Sequence, residues 1–307
     1  MNKATREAYG NAIVELIEKN KDVVVLDADL AHATKTLKFS QECPERFFNM
    51  GIAEADMVGT AAGLASCGKI PFASTFAVFA TGRAFDQVRN TVCYPKLNVK
   101  IVGTHAGITV GPDGGTHQAI EDIAIMRALP NMSIIVPSDD VEARAAVLAA
   151  AEIEGPMYLR MARVASPTYH SEDYTFTFGK GELVKGGKDI TIIATGIMVP
   201  KALEAARKLE EKNIEAQVVN IHTIKPLDEE LIVACAKKTG KVITVEEANI
   251  YGGLGSAVSE VLAEQYPVPV KRIGVQDVFG KSGDPELLLE EYGLTAENIV
   301  DTAVKMV

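Results

Sequence analysis

GIAEADMVGTAAGLASCGKIPFASTF, residues 51 to 76, decides the fold class, because a segment with small residues at helical spacing runs directly into a short apolar strand. Within residues 53 to 67, Ala55, Gly59, Ala62, Gly63 and Ala65 are small enough to let another backbone or a flat ring approach closely. IPFASTF (70–76) has the length and apolar continuity of a strand buried on both faces. Outward from this unit the alternation repeats. VVVLDAD (23–29), VKIVGT (99–104), MSIIVPS (132–138) and MYLRM (157–161) read as strands, and 79–93, 117–128 and 140–151 as helices. This βαβα order calls for a parallel sheet with helices on both faces. Between residues 162 and 188 the pattern weakens into a Gly-, Ser- and Thr-rich connection. It then resumes, with strands ITIIATG (190–196), EAQVVNIHT (215–223), KVITVEE (241–247) and VKRIGVQ (270–276) and helices near 198–212, 228–238 and 254–265. The expectation is an α/β chain of two doubly wound domains: a parallel-sheet domain over 1–165, a linker over 166–187, and a smaller mixed-sheet domain over 188–307.

Composition limits the function classes. With 307 residues, 47% hydrophobic and 23% charged, the chain can bury a core in each of two domains. A net charge of −10 argues against a nucleic-acid backbone as partner, which needs clustered Lys and Arg. No apolar run approaches the roughly eighteen residues of a membrane span, and the first twenty residues carry charges throughout. Cys43, Cys67, Cys93 and Cys235 form no CxxC pair, which fits reduced thiols in a cytoplasmic protein. The scattered His and Cys show no metal-ligand spacing.

Three stretches carry candidate chemistry. Glu54 stands at the entrance of the 53–67 helix, where a carboxylate complements the helix dipole or serves a bound group. In THAGITVGPDGGTHQAIEDIAIMRALPN (104–131), Gly111 to Gly115 make a tight turn, Thr116 is placed to cap the next helix, and His105 and His117 flank the acidic Asp113. In ASTFAVFATGRAFDQVRN (73–90), Phe76 and Phe79 lie three apart at a strand-to-helix junction, which suits core packing or an aromatic wall. GGLGSAV (252–258) ends in Val258 and lacks a Walker lysine, so it reads as a helix start and not as a phosphate loop.

Taken together these motifs resemble the transketolase superfamily of thiamine diphosphate enzymes. GIAEADMVGTAAGLA resembles its pyrimidine-binding segment, in which Glu54 would hydrogen-bond a ring nitrogen of the aminopyrimidine. Phe76 and Phe79 would pack on that ring, with Gly82 where a third aromatic is usual. The block from His105 to His117 resembles the segment that contacts sugars. There His105 would meet the acceptor's phosphate, Asp113 a hydroxyl of the ketose donor, and His117 the reacting oxygen, both histidines also moving protons. KATREAYGNAI resembles the opening helix, so Arg6 would reach substrate phosphate. LDADLAHAT places Asp29 near the cofactor and Ala33 where a phosphate-binding serine is expected. In MYLRMAR, Arg160 aligns as a further phosphate contact, with Arg163 as the competing choice.

The resemblance covers the last two of transketolase's three domains. The family's GDG motif, which holds magnesium and the diphosphate, is missing from the sequence. The implied protein is therefore the C-terminal subunit of a split transketolase. It would work on sugar phosphates with thiamine diphosphate and Mg2+, the metal ligated mainly by a GDG-bearing N-terminal subunit in an α2β2 assembly. The alternatives are the beta subunit of a 2-oxo acid dehydrogenase, which shares the domain pair and the glutamate, and a non-catalytic partner subunit.

Overall fold

The computed structural model describes residues 2–307 and has the expected α/β architecture. In space the first sheet runs Thr223–Lys225, Ser133–Ile135, Met157–Arg160, Lys100–Thr104, Ile70–Phe76, Val23–Asp27, Phe47–Asn49, seven strands of which all but Thr223–Lys225 are parallel. Its apolar runs are continuous because both faces are covered. Val23, Val25, Phe72, Val102 and Leu159 pack with Tyr9, Ile13, Leu16, Ala143 and Val147 from helices Thr5–Lys19 and Asp140–Glu152. The alternate residues Val24, Leu26, Ala73, Ile101 and Tyr158 pack with Met57, Val58 and Ala61 of helix Glu54–Ser66 and with Val88 and Val92. The second sheet runs Val270–Val275, Val242–Asn249, Ile190–Ala194, Ala216–Asn220, Glu182–Lys185, parallel except for the last strand, which makes it mixed.

Several elements depart from the sequence reading. The stretch read as one strand over 215–223 divides: Ala216–Asn220 stays in the second sheet, while Thr223–Lys225 crosses to pair antiparallel with Ser133–Ile135 in the first. The connecting stretch is also ordered by pairing, through Ala165–Pro167 on Asn2–Ala4 and Glu182–Lys185 on Ala216–Asn220.

The helix expected from His117 begins only at Asp122, so Thr116 caps nothing. Residues 118–121 cannot join it because their polar groups are engaged elsewhere. Gly107 N–H donates to Ala119 O (2.9 Å), and Gln118 Nε2 donates to Ile108 O (2.9 Å). The 79–93 segment is helical but winds in two wide π-type turns around Phe85–Gln87, a distortion frequent at functional sites.

Candidate active site

In doubly wound sheets, ligand-binding residues collect beyond the carboxyl ends of the strands. Phe76 ends one strand, His105 follows the next, and Asp29 lies two residues past Val23–Asp27. Glu54 is the first residue of its helix and is 1% exposed.

A buried carboxylate needs a partner, and Arg83 supplies it. Its Nη1 donates to both carboxylate oxygens of Glu54, at 3.0 and 2.9 Å. The same guanidinium lies 4.2 Å from the centroid of Phe79, with its side chain 48% exposed. Arg83 was not anticipated from the sequence. The available signal was its position four residues after Phe79, a helical neighbour able to lay a cation on the ring. Beside it, a Cβ added to Gly82 would meet no atom within 4 Å, so the place of the usual third aromatic is open space.

The aromatic wall joins Glu54 to the histidines. Phe76 and Phe79 stack at 6.0 Å, Phe76 stacks on His105 at 3.9 Å, and His117 meets Phe79 edge-on at 5.3 Å. Arg6 completes the chain of contacts, with Nη1 at 3.0 Å from His105 Nε2 and at 3.0 Å from Ala33 O.

The tautomer of His105 follows from this geometry. A guanidinium can only donate, so Nε2 accepts and Nδ1 carries the ring proton. Nδ1 then donates to Thr104 Oγ1 at 3.0 Å. Burial, reinforced by Arg6, Arg163 and Lys35, pushes His105 down to about 3, so the ring stays neutral at physiological pH. In this arrangement Nε2 of His105 has no proton to give, so a proton-moving role expected of His105 from the resemblance would need another arrangement of the ring. His117 differs: the one hydrogen bond of its ring among the described residues joins Nδ1 to Thr116 Oγ1 (2.9 Å), which leaves Nε2 open.

Not every anticipated residue joins this cluster. Asp29 is exposed, with positive φ, and accepts from Asn49 Nδ2 at 3.0 Å. Asp113 is exposed at the tip of the Ile108–Asp113 turn. Arg160 is withdrawn into a buried pair with Asp122, Nε at 2.7 Å and Nη2 at 3.2 Å from its carboxylate, and Nη2 also donates to Glu247 O at 2.9 Å. With its donors so engaged, Arg160 has no fork for a phosphate. Arg163, the competing choice, is the arginine close enough to act on both Arg6 and His105. Among the described residues, Arg6 Nε is buried without a hydrogen-bond partner.

The side chains placed to hold a cation gather elsewhere. Glu142 of helix Asp140–Glu152 meets His170 and Glu182 of the connecting stretch, where Ser138, Asn220, Tyr174 and Asp139 already engage Glu142 and His170 in hydrogen bonds.

Residues 1–168 match the family described as "Transketolase, pyrimidine binding domain", and residues 179–299 match "Transketolase, C-terminal domain". The chain belongs to the transketolase family. It is 52% identical to a "Putative transketolase C-terminal section" of Methanocaldococcus jannaschii, covering 97% of this chain and 94% of that one. It is 47% identical to a 6-deoxy-6-sulfo-D-fructose transketolase subunit of Clostridium sp. (strain MSTE9), covering 97% and 92%. A solved structure described as "Split gene transketolase, inactive beta4 tetramer" superposes with a TM-score of 0.92 at 56% identity, covering 99% and 98%. The chain thus corresponds to the C-terminal section of a split transketolase, and membership in this family implies dependence on thiamine diphosphate. These matches give the 2-oxo acid dehydrogenase alternative no support. Among the described residues no transketolase helix is long and apolar enough to cross a membrane.

Proposed function

We propose that this chain is the pyrimidine-side subunit of a two-chain transketolase, transferring a two-carbon ketol unit from a ketose phosphate to an aldose phosphate. The observation that carries this reading is the unbroken run of contacts Glu54–Arg83–Phe79–Phe76–His105–Arg6, with His117 edge-on to both phenylalanines. It joins a buried carboxylate, an aromatic wall, an open imidazole nitrogen and a cationic end in one site.

The site fits half of thiamine diphosphate. Glu54, the phenylalanine wall and the open space at Gly82 suit a flat, polar-edged ring. Nothing suits the diphosphate, because the GDG motif is missing and the one cation-type cluster among the described residues lies away from this site, between helix Asp140–Glu152 and the connecting stretch. The diphosphate and Mg2+ therefore fall to an N-terminal subunit, most simply in an α2β2 cytoplasmic assembly acting on pentose phosphates. The related structure's description as an inactive β4 tetramer supports a chain that requires a second kind of subunit.

Bound thiamine diphosphate supplies a nucleophilic carbon able to cleave the bond beside a ketose carbonyl. This chain prepares and serves that carbon. Glu54 holds a proton at the pyrimidine edge, for which Arg83 must release the carboxylate and leave Phe79 free for the ring. Arg6, Lys35 and Arg163 surround His105 with positive charge, a setting for substrate phosphate in a chain that is acidic overall. His105, as a neutral acceptor, holds the Arg6 guanidinium in place for that group, and His117 Nε2 exchanges the proton at the reacting oxygen. Asp113 reaches donor hydroxyls from its loop tip, and Asp29 lines the cofactor side.

Glu54→Gln tests the assignment in the assembled enzyme, because it keeps shape and removes the acid. Exchange of the bound cofactor's thiazolium proton should slow by about 10²- to 10⁴-fold. Slowing below about tenfold would reduce Glu54 to a helix-entry charge.

A further inference from the structure

The loop that carries His105, Asp113 and His117 is fastened at both ends by one residue of the second domain. Glu247, in strand Val242–Asn249, is 3% exposed, and its Oε1 accepts from Thr109 N–H at 2.7 Å. Its carboxylate lies against Gly107, where φ is +77° and an added Cβ would fall 2.3 Å from Glu247 Cδ. No side chain fits there, so the loop entry rests directly on Glu247.

At the loop exit the contact is relayed. Glu247 O accepts from Arg160 Nη2 at 2.9 Å, and Arg160 in turn holds Ala119 O at 3.3 Å and the Asp122 carboxylate. The adjacent Glu246 is equally buried, but it points to Leu254 N–H and Gly255 N–H at the start of helix Leu254–Gln265. Two neighbouring buried glutamates therefore do different things, and only one reaches the loop.

We propose that Glu247 is a positioning residue by which the second domain sets the place of the sugar-contacting loop. Its kinetic consequence rests on the ketol-transfer reading, while the fastening itself does not. The second domain thus carries no group of the site yet fixes where His105, Asp113 and His117 stand.

Amide hydrogen exchange at Thr109 in the full chain, combined with kinetics of the assembled enzyme, tests this. Glu247→Asp keeps the carboxyl group and pulls it back by a methylene, whereas Glu247→Gln keeps the reach and replaces the carboxyl with an amide acceptor. Thr109 exchange should quicken in the order wild type, Gln, Asp, by about tenfold or more for Asp, with KM for sugar phosphates rising in the same order and kcat moving less. Glu246→Asp should leave Thr109 exchange and KM at the wild-type values. Unchanged exchange at Thr109 in Glu247→Asp, or an equal change in Glu246→Asp, would overturn the assignment. If the assembled wild type shows no ketol transfer, the transketolase reading fails, and Thr109 exchange still decides the role of Glu247.

Discussion

At the scale of single residues, the proposed substrate class turns on Arg6. Its Nη1 is shared between His105 and Ala33 O, its Nε has no partner, and burial and then the nearby Arg163 both work against its charge. An anion would relieve both the unpaired donor and the crowded charge. A hydrogen bond to a charged group contributes about 1.5 to 3 kcal/mol, or roughly ten- to hundredfold in binding. Arg6→Ala should therefore lower kcat/KM for ribose 5-phosphate by about that factor and spare unphosphorylated glycolaldehyde as acceptor. Equal losses for the two acceptors would show that Arg6 does not read phosphate. Legibility at this scale followed local motifs. Glu54, Phe76, Phe79, His105 and His117 were readable because each sits in an uninterrupted segment. Arg160 and Arg163 could not be told apart, because which of them faces the buried Asp122 depends on a partner 38 positions away from Arg160. Arg83 stands four residues after Phe79, but its reach to Glu54 was hidden because the wide turns around it have no sequence signature.

At the scale of elements, the connecting stretch is held by a buried charge and not by apolar packing alone. His170 lies between Asp139 (3.0 Å) and Glu182 (2.8 Å). Burial opposes its charge, but hydrogen bonds to these carboxylates outweigh it and raise the ring to about 9. Because the folded value lies above the unfolded one, this stabilisation is complete below about pH 6.5 and is lost as pH rises through about 9. Urea unfolding of wild type should lose on the order of 2 to 3 kcal/mol across that window, and His170→Gln should flatten the loss. A wild-type slope that persists in His170→Gln would remove His170 from the account.

The same elements show what the sequence could and could not reveal. The long strands were legible because burial on both faces demands unbroken apolar runs. Thr223–Lys225 was not, since a three-residue edge strand is defined by the sheet it joins. Residues 118–121 resembled a helix start, but Ala119 among them is paired with Ala106 and Gly107, a tertiary preference that outweighs local capping signals.

On the scale of the whole molecule, the two sheets behave as one support. Thr223–Lys225 extends the first sheet from the second domain, and the loop Asp277–Asp284 packs against the turn at Gly111–Gly115, with Gln118 Nε2 donating to Lys281 O at 2.9 Å. All of these contacts support one side of the candidate site. The exposed Arg83, Asp29 and Asp113 face outward, and no diphosphate motif exists in the chain to complete them. The central claim is that the chain provides half of a transketolase site and needs a GDG-bearing subunit for the other half. Ketol transfer from xylulose 5-phosphate to ribose 5-phosphate, measured with thiamine diphosphate and Mg2+ for this chain alone, the GDG-bearing subunit alone and the two combined, tests it most directly. Turnover in the combination only, with each subunit inert by itself, is the predicted result; turnover by this chain alone would contradict the claim.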